Sequence, residues 1–94
     1  MAVATYQGSV VAESDDTVIV EGNHYFPIES VTDGVLSESP ATSVCPWKGT
    51  ASYYDVTVDG HTAEGAAFHY RDPKPAAEEI RGRVAFWKGV VVTD

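Results

Sequence analysis

At 94 residues the chain is long enough for one hydrophobic core and too short for two domains, so residues 1–94 are read as a single unit. Hydrophobic residues make up 44% of it and charged residues 21%, a composition that excludes a disordered segment. Fourteen Asp and Glu against six Lys and Arg give a formal net charge of −8, whose field repels phosphate backbones and anionic lipid and so argues against nucleic-acid and membrane-surface binding.

No run approaches the roughly 20 apolar residues of a membrane helix, and the opening segment has neither a basic start nor an apolar centre. The expected location is therefore cytoplasmic. A lone Cys45 forms no internal disulfide and no CxxC clamp, which suits a reducing interior; no metal site and no cofactor are expected. The acid is spread along the chain, lysine is scarce, and Ala, Val, Thr and Asp are abundant. That pattern reads as adaptation to a salt-rich cytosol, where screening relieves self-repulsion.

Val3 to Glu13 reads as a strand, followed by turn formers at Glu13-Ser14-Asp15-Asp16. Thr17-Val18-Ile19-Val20 is β-branched, Glu21-Gly22-Asn23 breaks it, and His24-Tyr25-Phe26-Pro27 resumes an extended course. From Ile28 to Val44 polar residues outnumber apolar ones, which predicts a surface connection with one short helical turn after Ser30. Ala51 to Val58 is the clearest strand. Asp59-Gly60 then signals a tight hairpin, with His61 to Tyr70 as the return strand. Pro75 to Arg81 places proline near a helix start, acids early and a base late, predicting one short helix over 75–81 that Gly82 ends. A last strand runs through Arg83 to Lys88 and Val90 to Val92, broken by Gly89. The fold class expected is a small, mainly β domain of twisted antiparallel sheets.

Five segments in order, Tyr25-Phe26-Pro27, Cys45-Pro46-Trp47-Lys48-Gly49, Ala51-Ser52-Tyr53-Tyr54, Ala66-Ala67-Phe68-His69-Tyr70 and Val84-Ala85-Phe86-Trp87, resemble the family catalogued as domain of unknown function 427 over nearly the whole chain. The resemblance implies a compact domain of β-tent type, a group that includes zinc-binding chaperone-like proteins and methionine sulfoxide reductases of the B type. Those relatives commonly hold zinc with pairs of CxxC, and one cysteine carries over neither the metal nor two-thiol chemistry. The family sometimes bears a nucleotidyltransferase label. That chemistry needs metal-holding carboxylates and a phosphate cradle. The chain shows no Gly-rich phosphate loop, and of the pair Asp55 and Asp59 the second belongs to the hairpin turn.

The candidate site gathers Cys45, Trp47, Lys48, Tyr53, Tyr54 and His69. Lys48 lies between an aromatic and a glycine, placed to face an anionic ligand or to pair with a carboxylate such as Glu21 or Asp55. Cys45 beside Lys48 is a candidate nucleophile, with His24 or His69 as base, or else a small buried hydrophobe. Tyr25, Trp47, Tyr53, Tyr54, Tyr70 and Trp87 read mostly as core, although alternation sends Tyr53 and Tyr54 to opposite faces. The leading expectation is a small-molecule binding domain, an anion among the candidate ligands, around the Cys-Pro-Trp-Lys-Gly motif. The alternatives are an enzyme with Cys45 as nucleophile and a structural or subunit-interaction domain, favoured by an exposed apolar patch at Val84 to Trp87. Pairing of edge strands leaves a homodimer open.

Overall fold

The computed structural model describes all residues, Met1–Asp94, and strands take up 61% of them. Nine strands run in chain order: β1 (Ala2–Tyr6), β2 (Ser9–Ser14), β3 (Val18–Val20), β4 (Asn23–Pro27), β5 (Leu36–Cys45), β6 (Gly49–Val58), β7 (His61–Tyr70), β8 (Arg83–Phe86) and β9 (Val91–Thr93). All paired neighbours are antiparallel. They form a three-stranded sheet, β2-β1-β9, and a six-stranded sheet, β3-β4-β8-β7-β6-β5.

The hairpin β6–β7 is the centre of the larger sheet, and its turn is the one Asp59-Gly60 announces. Both residues have positive φ, 49° and 79°, the mirror-image turn whose twist matches that of the strands it joins. Because successive side chains point to opposite faces, this sheet supplies two cores. One face packs Phe26, Val56, Ala67, Val84 and Phe86 against Ala2, Ala4, Val11 and Ala12 of the smaller sheet. The other packs Tyr25, Ala51, Phe68, Tyr70 and Ala85 beneath Ala77 and Ile80. These last two come from the short helix expected over 75–81. It is a 3-10 helix, Pro75–Ile80, with Ala77 out of helical geometry, so it acts as a lid of two apolar side chains.

Three segments differ from expectation. Val3 to Glu13 is two strands, folded on a tight turn at Gln7-Gly8. The predicted helical turn lies at Ile28–Ser30, not after Ser30, and is tied by the Ser30 hydroxyl donating to the Pro27 carbonyl at 2.7 Å. The larger correction is that most of the presumed connection 28–44 is β5, a ten-residue edge strand. Only Leu36, Ser39 and Cys45 are half-buried along it, so no buried face imposed an apolar alternation for sequence to reveal. Pro40 falls where the register with β6 shifts between Glu38 and Thr42, an edge position where a missing N–H breaks no ladder. The last segment divides at Lys88-Gly89, with β8 in one sheet and β9 in the other.

The β5–β6 turn, Pro46 to Lys48, is stapled from outside. The Lys74 N–H donates to the Lys48 carbonyl at 2.9 Å, and the Lys74 ammonium donates to the Pro46 carbonyl at 2.7 Å. Gly49 makes this approach feasible: its φ is +114°, and a Cβ there would lie 3.4 Å from the Asp72 carbonyl oxygen and 3.7 Å from the Lys74 nitrogen. Gly49→Ala is therefore expected to lose about 1–3 kcal/mol of stability, read by urea denaturation. Stability within error of the parent protein would show that the staple is slack.

Candidate functional site

Two hairpin turns meet at one end of the larger sheet. The β3–β4 turn holds Glu21 at a φ of 53°, and the β5–β6 turn projects Lys48 inward until 6% of the residue is exposed. The Lys48 ammonium donates to the Glu21 carboxylate and lies 5.5 Å from the centroids of both the Trp47 and Tyr70 rings. Of the two acids weighed as its partner, Glu21 is the one it meets. Asp55 instead accepts the Gly65 N–H at 2.8 Å across a bulge.

This pair shifts both partners. The bond from Lys48 holds the Glu21 carboxyl below the ordinary range, with a further contribution from Trp47. Burial alone would push Lys48 down, but the bond to Glu21, assisted by Tyr25 and Tyr70, outweighs it and leaves the ammonium above its ordinary value. Lys48 thus stays charged inside an aromatic surround.

Beside the ammonium opens a cleft of about 190 Å³ lined by Asn23, Lys48, Tyr53, Phe68, Tyr70 and Trp87. Its walls are fixed ring against ring: Phe68 meets Trp87 edge-on at 5.9 Å, and Tyr53 lies 6.1 Å from Phe68 and 6.4 Å from Trp87. The polar ends of the walls are tied as well. The Tyr53 hydroxyl bonds Ser43 Oγ at 2.8 Å, and Trp87 Nε1 donates to the Gly65 carbonyl at 2.7 Å. Edge-on to Phe68, with ring centroids 6.0 Å apart, is Tyr25, wholly buried and with no hydrogen-bond partner for its hydroxyl. Burial pushes that phenol up to about 12, against a partly compensating pull from Lys48.

The predicted set divides between the faces of the sheet. Lys48 and Tyr53 share the cleft. Trp47, 39% exposed, covers Lys48 from outside, and Cys45 is half-buried against the core of Tyr25, Ala51, Phe68 and Tyr70. Tyr54 and His69 do not join them; their rings stack on each other at 4.6 Å, and strand alternation places both on the opposite face. Neither candidate base reaches the side where Cys45 packs. His69 precedes Tyr70 and His24 precedes Tyr25, so each faces away from that core, His24 toward Phe26 and the Thr17 hydroxyl. Asn23, Phe68, Tyr70 and Trp87 were not foreseen as lining residues. The rings of the last three read as core, and only the pairing of Tyr53 with Phe68 and Ala51 with Tyr70 shows which of them border open space.

No group of three or more His, Cys, Asp or Glu side chains is placed to hold a metal ion, and no helix is long and apolar enough to cross a membrane. A family model described as domain of unknown function (DUF427) matches residues 1–93. The chain belongs to the DUF427 family. No curated protein matches it in sequence. In this DUF427 domain the Cys-Pro-Trp-Lys-Gly segment is the stapled turn itself, each residue with a distinct place: Cys45 half-buried against the core, Pro46 under the Lys74 ammonium, Trp47 outside, Lys48 inside, and Gly49 at the crossing with Asp72 and Lys74.

The unpaired Tyr25 hydroxyl yields a signed prediction. The unfolded chain releases this proton near 10.0 and the folded one near 12, so the contribution is intact below pH 10 and lost as pH rises between those values. Tyr25→Phe should raise stability at neutral pH by roughly 1 kcal/mol, since a buried donor without an acceptor costs that much or more. It should also flatten the alkaline decline. Urea denaturation of both proteins at about pH 8 and about pH 11 measures this; a destabilised Tyr25→Phe would mean that the hydroxyl is bonded.

Proposed function

We propose that this DUF427 domain binds a small, flat, largely apolar molecule with one anionic or strongly accepting end, in the cleft beside Lys48. The observation that supports this reading is a charged lysine held inside a rigid aromatic enclosure and bordering open space. An ammonium buried merely for structure would be better replaced by an apolar side chain, since desolvation offsets most of what the ion pair returns. Tyr53, Phe68 and Trp87 offer ring faces and edges to a planar ligand, while the Lys48 N–H groups and the Asn23 amide offer donors at one end. Glu21 is half-exposed, so it can yield to a competing anion without leaving a buried carboxylate unpaired. The buried strand at Val84, Ala85 and Phe86 presents no apolar patch, and only Trp87 at its end is open.

Benzoate and 2-naphthoate, each against its uncharged amide, test this proposal through the fluorescence of Trp87, read in a Trp47→Phe background because Trp47 also emits. Saturable quenching by the carboxylates is expected, weaker for the amides and weakened roughly tenfold or more in Lys48→Met, the scale of one lost hydrogen bond to a charged group. Equal quenching in the parent and Lys48→Met, or none that saturates, would overturn the proposal.

The same domain is proposed to work in a cytoplasm rich in salt, the setting in which a net charge of −8 on so small a surface is least costly. Its melting temperature should rise as KCl is increased from about 0.1 M to about 2 M. A flat response, scanned by circular dichroism, would reject the halophilic reading and leave the cleft untouched.

A further inference from the structure

The chain has three arginines and three lysines, and the arginines are sorted apart from the lysines. Arg71, Arg81 and Arg83 all line one open cavity of about 400 Å³, and no lysine does. The cavity lies at the ends of central strands of the larger sheet, where β7 ends, the 3-10 helix ends and β8 begins, and of its lining only Tyr70 is shared with the Lys48 cleft. The stacked rings of Tyr54 and His69 and the side chain of Ile28 complete much of its lining.

We infer that this cavity is a second binding site, for a small molecule carrying a doubly charged oxyanion of the phosphate-monoester class. Planar guanidinium forks suit such a group better than ammonium ions do, because each presents paired N–H donors to paired oxygens. The volume exceeds what a bare phosphate needs and leaves room for a compact organic body beside the Tyr54–His69 stack.

The carboxylates already on these arginines decide what charge can compete. Arg71 donates to Glu38 at 3.0 Å, Arg81 to Glu78 at 2.5 Å and Asp72 at 3.4 Å, and Arg83 to Asp16 at 3.5 Å. The acid side chains are 77%, 59%, 95% and 80% exposed, so every carboxylate stands in solvent, and pairs of that kind hold weakly. Main-chain carbonyls also occupy part of two forks, those of Asp16 and Tyr25 on Arg83 and that of Arg71 on Arg81. A monoanion offers little that these carboxylates lack. A dianion with three oxygens can engage more than one fork at once. Arg71 is the readiest: of its five N–H groups the protein engages only one, through Nη2 to Glu38. His69 adds a ring nitrogen, Nε2, buried and without a partner. Burial, reinforced by Arg71, keeps this imidazole below its ordinary value and so uncharged at neutral pH.

Titration with inorganic phosphate and with phenyl phosphate near pH 8, against sodium chloride at matched ionic strength, tests the site by the ring proton resonances of His24, His61 and His69. Saturable movement of His69 alone is expected, weakened roughly tenfold or more in Arg71→Gln and little changed in Lys88→Gln. Arg71→Gln gives up a single exposed pair and should fold. Movement of all three histidines in parallel with chloride, or a response equal in parent and Arg71→Gln, would overturn the inference. The readout is independent of Trp87 and Lys48, so the cleft and the cavity can fail separately.

Discussion

The structure depends on a sheet that has to be covered twice. Hairpin β6–β7 alternates apolar residues onto both faces: Val56 and Ala67 go one way, Ala51, Phe68 and Tyr70 the other. A three-stranded sheet covers the first face. The chain has too little left to build a second layer of equal size, and the other face is closed by Ala77 and Ile80 of one 3-10 helix together with the turn at Trp47 and Lys48. The Lys48 cleft opens beside that turn, and the arginine cavity where the 3-10 helix ends.

That constraint also fixes where the charged lysine of the aromatic core sits. The short lid has to be anchored to the sheet, and the anchor is made of main-chain and lysine groups: Lys74 binds both carbonyls of the turn, and Lys48 reaches across to Glu21 on the next hairpin. Two hairpin turns and the helix entry are joined at one point.

Much of this architecture was legible wherever a residue had one dominant reason to be where it is. Asp59-Gly60 fixes its hairpin by backbone preference, Ala51 to Val58 alternates over a buried sheet, and Pro75 marks a helical start. The opposed directions of Tyr53 and Tyr54 also followed from strand period, although both were then assigned to one site, which the sheet forbids. β5 was illegible because an exposed edge strand buries nothing periodic and tolerates proline. The arginine cavity was overlooked for a different reason. Its residues come from β7, the end of the 3-10 helix and β8, and no local pattern joins them. One signal was available: every arginine in the chain falls within residues 71–83.

Side-chain polar groups buried without a partner are few in native proteins, and each asks for a cause. Here there are two, the Tyr25 hydroxyl and His69 Nε2. They are not scattered. Tyr25 abuts Phe68 in the wall of the Lys48 cleft, and His69 lines the arginine cavity. A domain of this size has a small margin of stability, and replacing either group with an apolar ring would recover part of it. Core packing does not require the hydroxyl, since Phe68 beside it serves without one. Stability is thus left unclaimed at one residue behind the cleft wall and at one lining the cavity, and at no other buried side chain.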